Sequence, residues 1–249
     1  MFCLFDTHCH LVDIPSSTRS SLTIQDATLS ILAVSKTAND WLPTLQLAES
    51  NDIVYPALGI HPWYLSGSRW ETDIEQLTGF IRSHQNLKVL GEIGLDFSIR
   101  YKDSISQQIK CLGLQLEIAK KNELALSIHC HKAFDQLQTM LIDAEFPKGV
   151  LHGFSGSFEQ ARLFVQQGYK LGIGPLLLNL NAKKLIRVVE KVPLQNLVLE
   201  SDAPYAVQGS NLSHVQRLIA IAQRIAQIKQ IPLEEVVKTT YDSAKNILG

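Results

Sequence analysis

No apolar run in the sequence is long enough to cross a bilayer: the longest, residues 171–178, is broken by glycines and Pro175 and falls short of the ~20 residues a span needs. Nor is there an excess of charge of one sign. With 23 Lys+Arg against 24 Asp+Glu the net charge is −1, so no broad basic footprint exists to grip a long duplex, and any phosphate recognition has to be local. Cys-x-x-Cys pairs are missing too; Cys3, Cys9, Cys111 and Cys130 sit mostly inside apolar runs, where a reduced thiol behaves as a small hydrophobe. Low-complexity tracts, internal repeats, charge blocks and linkers are absent, which excludes a disordered, collagen-like or coiled-coil chain. The stretch Met1-Phe2-Cys3-Leu4-Phe5-Asp6 has no basic n-region and meets an acid almost at once, so it does not read as a signal peptide, and a cytoplasmic location is expected.

Short β-rich runs alternate instead with longer amphipathic stretches, the pattern of βα units around a parallel sheet. Strands are expected at residues 3–6, 30–34, 53–58, 89–93, 125–129, 149–151, 169–173 and 197–199. Helical spacing of apolar residues falls at 41–50, 74–83, 104–122, 133–143, 158–167 and 182–191, with Gly168 placed to end a helix. Two more helices, 214–228 and 233–248, follow the last strand; the first is expected to close the barrel and the second to be an appendage. Eight strands in 249 residues predict a single (β/α)8 TIM barrel with an extra C-terminal helix, one domain over residues 1–249, since such barrels take about 250 residues.

Ionisable residues are placed unevenly on this frame. Of eight histidines, His8, His10, His61, His129, His131 and His152 lie at or just beyond the C-terminal end of an expected strand, and Glu92 and Asp202 end two others. The loops of a barrel converge at that end, so one site is expected there. His8 and His10 alternate on an extended segment and point the same way, which lets two imidazoles share a cation; two satisfied core histidines would give the same pattern. Glu92, in Gly91-Glu92-Ile93-Gly94-Leu95-Asp96, ends an apolar strand where an unpaired carboxylate is costly to bury, and a carboxylate can bridge two cations ~3.5–4 Å apart. Asp96 either orients a ligand or caps the next segment. His129 and His152 add a second nitrogen-rich group, and imidazoles beside carboxylates suit Zn²⁺, and also Mn²⁺ or Ni²⁺, with Mg²⁺ a further option. Asp202 precedes Ala203-Pro204, where an Asp can equally serve a turn.

The segments Asp6-Thr7-His8-Cys9-His10, Gly59-Ile60-His61-Pro62, Gly91-Glu92-Ile93-Gly94-Leu95-Asp96, His152-Gly153-Phe154-Ser155-Gly156 and Ser201-Asp202-Ala203-Pro204 together resemble the TatD family of metal-dependent hydrolases over nearly the whole chain. The resemblance implies an amidohydrolase-like barrel binding one or two divalent metal ions: His8, His10 and Asp202 around one, His129 and His152 around another, and Glu92 shared. It also implies phosphodiester hydrolysis of the deoxyribonuclease type. Two departures stand out. Where members commonly carry arginine two residues after the fifth-strand histidine, this chain has His131 followed by Lys132, and the Arg-Asn-Glu-Pro-like stretch after Asp202 is missing, with Tyr205 and Asn211 offered instead.

The expected chemistry is attack by a metal-activated water on a phosphodiester, with Asp202 and Glu92 catalytic and His61, His131 and Lys132 contacting substrate. The near-neutral charge favours single-stranded ends, short oligonucleotides or small phosphodiesters over long duplex; DNA ends are the expected partner, with no membrane and no obligate protein partner. Amide, lactone or deaminase chemistry on the same barrel is the alternative, and a catalytically silent binding barrel a further one. Many related amidohydrolases bridge their metals with a modified lysine on the fourth strand, whereas this strand carries Glu92.

Overall fold

The computed structural model describes residues 2–19, 27–65, 69–84, 86–145, 148–207 and 212–248. Eight strands follow one another around a single parallel sheet: β1 (Phe2–Cys9), β2 (Ala27–Val34), β3 (Val54–Leu58), β4 (Val89–Asp96), β5 (Ala125–His131), β6 (Gly149–Leu151), β7 (Lys170–Ile173) and β8 (Leu197–Leu199). The helices are α1 (Ser16–Arg19), α2 (Ala38–Glu49), α3 (Trp70–Ser83), α4 (Ile105–Lys121), α5 (Phe134–Asp143), α6 (Phe158–Gln166), α7 (Lys183–Lys191), α8 (His214–Lys229) and α9 (Leu233–Leu248). The ring closes from β8 to β1 through hydrogen bonds rather than a long ladder: Thr7 Oγ1 to the Leu199 carbonyl (3.0 Å), Asp202 N to His8 O (3.0 Å) and His10 N to Ala203 O (2.8 Å). This is the expected barrel. No helix among the described residues is long and apolar enough to cross a membrane.

The boundaries differ from expectation where polar residues carry structure. α2 begins at Ala38 rather than residue 41 because the Asp40 carboxylate reaches back to the Thr37 backbone N–H at 3.0 Å, an N-terminal satisfaction that apolar spacing does not register. α6 and α8 are capped reciprocally by Ser157 with Gln160 and Ser213 with Gln216. β4 and β5 run on to Asp96 and His131, past the last residues of their apolar runs, and pair in register as Gly94 with His129 and Asp96 with His131. Gly94 sits at φ +145°, and a β-carbon there would collide with the His129 carbonyl, so only glycine lets the two strands approach at this point. Gly168, at φ +96°, follows the C-cap of α6 as expected.

The core has two parts. One lies between the outer face of the sheet and the helices, with Leu112, Leu116, Phe164, Val188, Leu218 and Ile221 among its buried residues. The other takes Phe5, Leu32, Val34, Ala57, Val89, Ala125, Val150 and Val198 from every strand except β7, and is closed by Ala244 and Ile247. A cluster drawn from around the ring fills the barrel's interior, with Leu32 and Val34 two apart on one strand face. α9, expected as an appendage, therefore seals the N-terminal end: Ser243 Oγ donates to the Gln195 carbonyl just ahead of β8 (2.9 Å) and Lys245 to the Tyr55 hydroxyl on β3 (2.9 Å).

Candidate metal centre

The opposite end of the barrel gathers the ionisable side chains. β1 supplies His8 and, just past its end, His10; β4 supplies Glu92 and Asp96; β5 supplies His129; His61, His152 and Asp202 follow β3, β6 and β8. Five imidazole nitrogens surround the Glu92 carboxylate. Oε2 faces His8 Nε2 and His10 Nε2, each at 3.5 Å, while Oε1 faces His152 Nε2 at 2.9 Å, His129 Nδ1 at 3.2 Å and His61 Nε2 at 3.3 Å. Asp202 Oδ1 lies 4.0 Å from His8 Nε2 and 3.7 Å from His10 Nε2, completing a group on the Oε2 side.

Each imidazole is oriented by a partner on its far side or by its packing. His8 Nδ1 lies 3.2 Å from Ser127 Oγ, leaving Nε2 turned inward, and its ring stacks on His152 with centroids 3.7 Å apart. His129 Nε2 faces Asp96 Oδ2 at 3.6 Å, and His152 Nδ1 faces Glu200 Oε1 at 3.7 Å. Glu200 is 1% exposed and accepts the Gly153 N–H through Oε1; a β-carbon at Gly172 would strike its Oε2, so β7 is shaped around it. Asp96 both caps and orients: Oδ1 accepts Ser98 N (2.8 Å) and Oδ2 accepts Trp63 Nε1 (2.6 Å). Asp6 clips β1 to the segment holding Asp202, accepting Ser201 Oγ (2.6 Å), Ser201 N (2.8 Å) and His8 N (3.2 Å).

Protonation follows from this crowding. Burial alone would raise Glu92, but His61, His8, His152 and His129 outweigh it and hold the carboxyl well below the usual range. Burial lowers His61 to about 4 and also depresses His10 strongly, so both rings stay neutral. For His152 burial also acts downward, yet Glu92 and Glu200 raise it well above the ordinary imidazole value, and Asp96 and Glu92 raise His129 in the same way. Asp202 is raised chiefly by burial.

These residues fit a divalent metal. The buried His8 Nε2 has no hydrogen-bond partner although it points between two carboxylates, and His10 Nδ1 is unpartnered as well. One carboxylate cannot balance five protonated imidazoles, and neutral rings would turn lone pairs at its oxygens; a cation between them removes the conflict. Ligand atoms of His8, His10 and Glu92, of His8, His152 and Asp202, and of His61, Glu92 and His129 each lie within 4.8 Å of one another. Such nitrogen and oxygen donors are those of zinc and neighbouring transition ions.

Sequence reasoning placed His8, His10, Glu92, His129, His152 and Asp202 in one site, and the structure brings them together. His61 is 3% exposed and faces Glu92 rather than solvent, with Nδ1 accepting the Trp63 N–H at 3.1 Å. His131 is exposed and lines a cavity of about 230 Å³ alongside His129, His152 and Asp202, whereas Lys132 lines neither this cavity nor its neighbour. Asn211 lies outside the described residues. Glu200, Ser127, Trp63 and Lys36 were missed. Glu200 ends an apolar strand as Glu92 does, a signal that was present; the other three meet partners distant in sequence, Ser127 with His8 of β1, Trp63 with Asp96 of β4, and Lys36 with Asp13 and Tyr205.

Residues 5–249 match the model of the TatD related DNase family. The chain is 33% identical over 262 residues to an uncharacterized metal-dependent hydrolase of Escherichia coli K12, YjjV, covering 100% of this chain and 99% of that one. It is 29% identical to the human deoxyribonuclease TATDN3, covering 97% and 93%. The crystal structure of the E. coli YjjV protein superposes with a TM-score of 0.89 at 30% identity, over 98% of this chain and 97% of that one. The chain belongs to the TatD related DNase family of metal-dependent hydrolases.

Proposed function

We propose that the protein is a phosphodiesterase of the deoxyribonuclease type, acting on single-stranded ends, short oligonucleotides or small phosphodiesters. The observation that carries this reading is the Glu92 carboxylate, one oxygen of which faces His8 and His10 and the other His129 and His152. On that reading His8, His10 and Asp202 would hold one ion and His129 and His152 a second, with Glu92 shared between the two groups. Zinc is the assigned metal, because imidazoles dominate the donor set. Bound there, the metal would supply a Lewis acid and lower the pKa of a coordinated water toward neutrality. The human relative's name points to DNA as the substrate class.

The chain's own residues divide the remaining work. Asp202 is the carboxylate at this centre whose side chain keeps contact with water, at 28% exposure, and burial raises its pKa, so Oδ1 is suited to take the proton of the attacking water. Asp96 and Glu200 hold His129 and His152 in position, and Asp6 aligns the backbones that carry His8 and Asp202. His61 stays neutral and steadies Glu92 rather than substrate, while His131 offers a rim contact. Four cysteines with no disulfide among them support a reducing, cytoplasmic location.

The test is reconstitution of metal-free protein with Zn²⁺, Mn²⁺, Ni²⁺ or Mg²⁺ and turnover of matched single-stranded, duplex, short phosphodiester, lactone and amide substrates across a salt series. Turnover of single-stranded and short phosphodiesters with a shallow salt dependence is expected. A preference for lactone or amide, or for long duplex with affinity falling steeply in salt, would overturn the reading.

A further inference from the structure

The second cavity at the metal centre, about 200 Å³, is lined by His10, Glu92 and Asp202 on one side and by Tyr64, Tyr205 and Lys36 on the other. Lys36 is the one lysine or arginine lining either cavity among the described residues, and nothing in its local sequence marks it as a ligand. It follows β2, and its backbone is fixed from both ends: Lys36 N donates to Asp40 Oδ2 (3.0 Å) and Lys36 O accepts His61 N (2.9 Å).

The ammonium is equally constrained. Nζ donates to Asp13 Oδ2 at 2.6 Å and to the Tyr205 hydroxyl at 2.7 Å, and that hydroxyl in turn donates to Asp13 Oδ2 at 2.9 Å. Three loops, after β1, β2 and β8, therefore meet at this cation. The rings of Tyr205 and Tyr64 flank it with centroids 5.2 and 6.0 Å away, and the Tyr205 ring also packs edge-on against His10. An ammonium carries three donors, and Asp13 and Tyr205 use two. The third is left for a ligand in the cavity. Lys36 is less exposed than its counter-ion, 14% against 27% for the side chains, so water reaches the ammonium less than it reaches Asp13.

We propose that Lys36 anchors the substrate's phosphate, donating its third ammonium hydrogen to a non-bridging phosphate oxygen while Asp13 and Tyr205 fix its direction. The proposal rests on the phosphodiester reading above. It gives this chain a phosphate contact from the second βα loop, where the family's arginine positions carry His131 and a stretch without the Arg-Asn-Glu-Pro pattern. A plain loop staple is the competing account. A staple contributes to folding alone, whereas an anchor contributes to affinity for anions.

The experiment uses zinc-loaded full-length protein with Lys36→Met, Lys36→Gln and Lys36→Arg. Its readouts are the dissociation constant of orthophosphate by calorimetry, KM and kcat on a single-stranded oligonucleotide, bound zinc and melting temperature. Loss of one hydrogen bond to a charged group should weaken orthophosphate binding and raise KM about 10-fold or more in Lys36→Met and Lys36→Gln. Zinc content should be unchanged, kcat should change less than KM, and Lys36→Arg should recover most of the affinity. Orthophosphate binding and KM within twofold of wild type in either neutral variant, with only the melting temperature lowered, would overturn the anchor. Should wild type turn over no phosphodiester, the functional reading fails, and the orthophosphate constants still decide the role of Lys36; Lys36→Gln, which can keep a hydrogen bond to Asp13, serves if Lys36→Met does not fold.

Discussion

The two ends of the barrel are built from the same strands by opposite rules. At the N-terminal end Phe5, Val34, Ala57, Val89 and Val198 close on Ala244 and Ile247, apolar against apolar, with no ionisable side chain among the buried residues of the cluster. A few residues further along, β1 buries His8 completely and β4 buries Glu92 at 2% exposure. Burial stabilises the first end and costs stability at the second, where charges are held in a dry setting only by one another. Function sits where the strands depart from the apolar rule.

Substitutions at the two ends should therefore break different things. The largest effect is expected from Glu92→Gln: an amide bridges weakly, so bound metal should fall and turnover should drop by more than the about 10–100-fold that outer hydrogen-bond partners are worth, with the circular dichroism spectrum unchanged. Full activity with two metals retained would remove Glu92 from the centre. Ile247→Ala at the other end should cost about 2–5 kcal/mol in denaturant unfolding and leave kcat/KM and metal content of the folded protein unaltered. Loss of metal in that variant would show that the two ends are coupled.

Glu200→Gln should lie between these, weakening metal affinity about tenfold by releasing His152 while leaving the ligand set in place, as a chelator competition would read. The smallest effect is on pH. Glu92 and Glu200 raise His152 against the opposing pull of burial, and Asp96 and Glu92 raise His129, so in the metal-free protein both rings hold their protons to higher pH than a free imidazole does. A metal must displace those protons. Affinity should consequently rise as pH rises through the raised values and fall below them, whereas His10 and His61, already neutral, add no dependence there. Chelator competition at two pH values bracketing neutrality checks the sign, and affinity that falls with rising pH would contradict it.

Much of this was legible in the chain. His-x-His spacing and single ionisable residues at the ends of apolar runs located the metal centre, because a strand's period of two and the convergence of loops at one barrel end are geometric necessities. What stayed hidden has a common cause. Thr37 and Asp40 begin α2 through a side-chain hydrogen bond, α9 reads as amphipathic without revealing which surface it covers, and Lys36 gains its place from Asp13 and Tyr205, residues brought near it only by the fold. His61 carried the right signal: its ring turns to Glu92 while lining the cavity beside it.

The most direct test is anomalous scattering from crystals grown with zinc. Two peaks are expected on opposite sides of Glu92, one within about 2.0–2.3 Å of His8, His10 and Asp202 and the other at the same range from His129 and His152. Peaks elsewhere, or Glu92 bound to neither ion, would contradict the account.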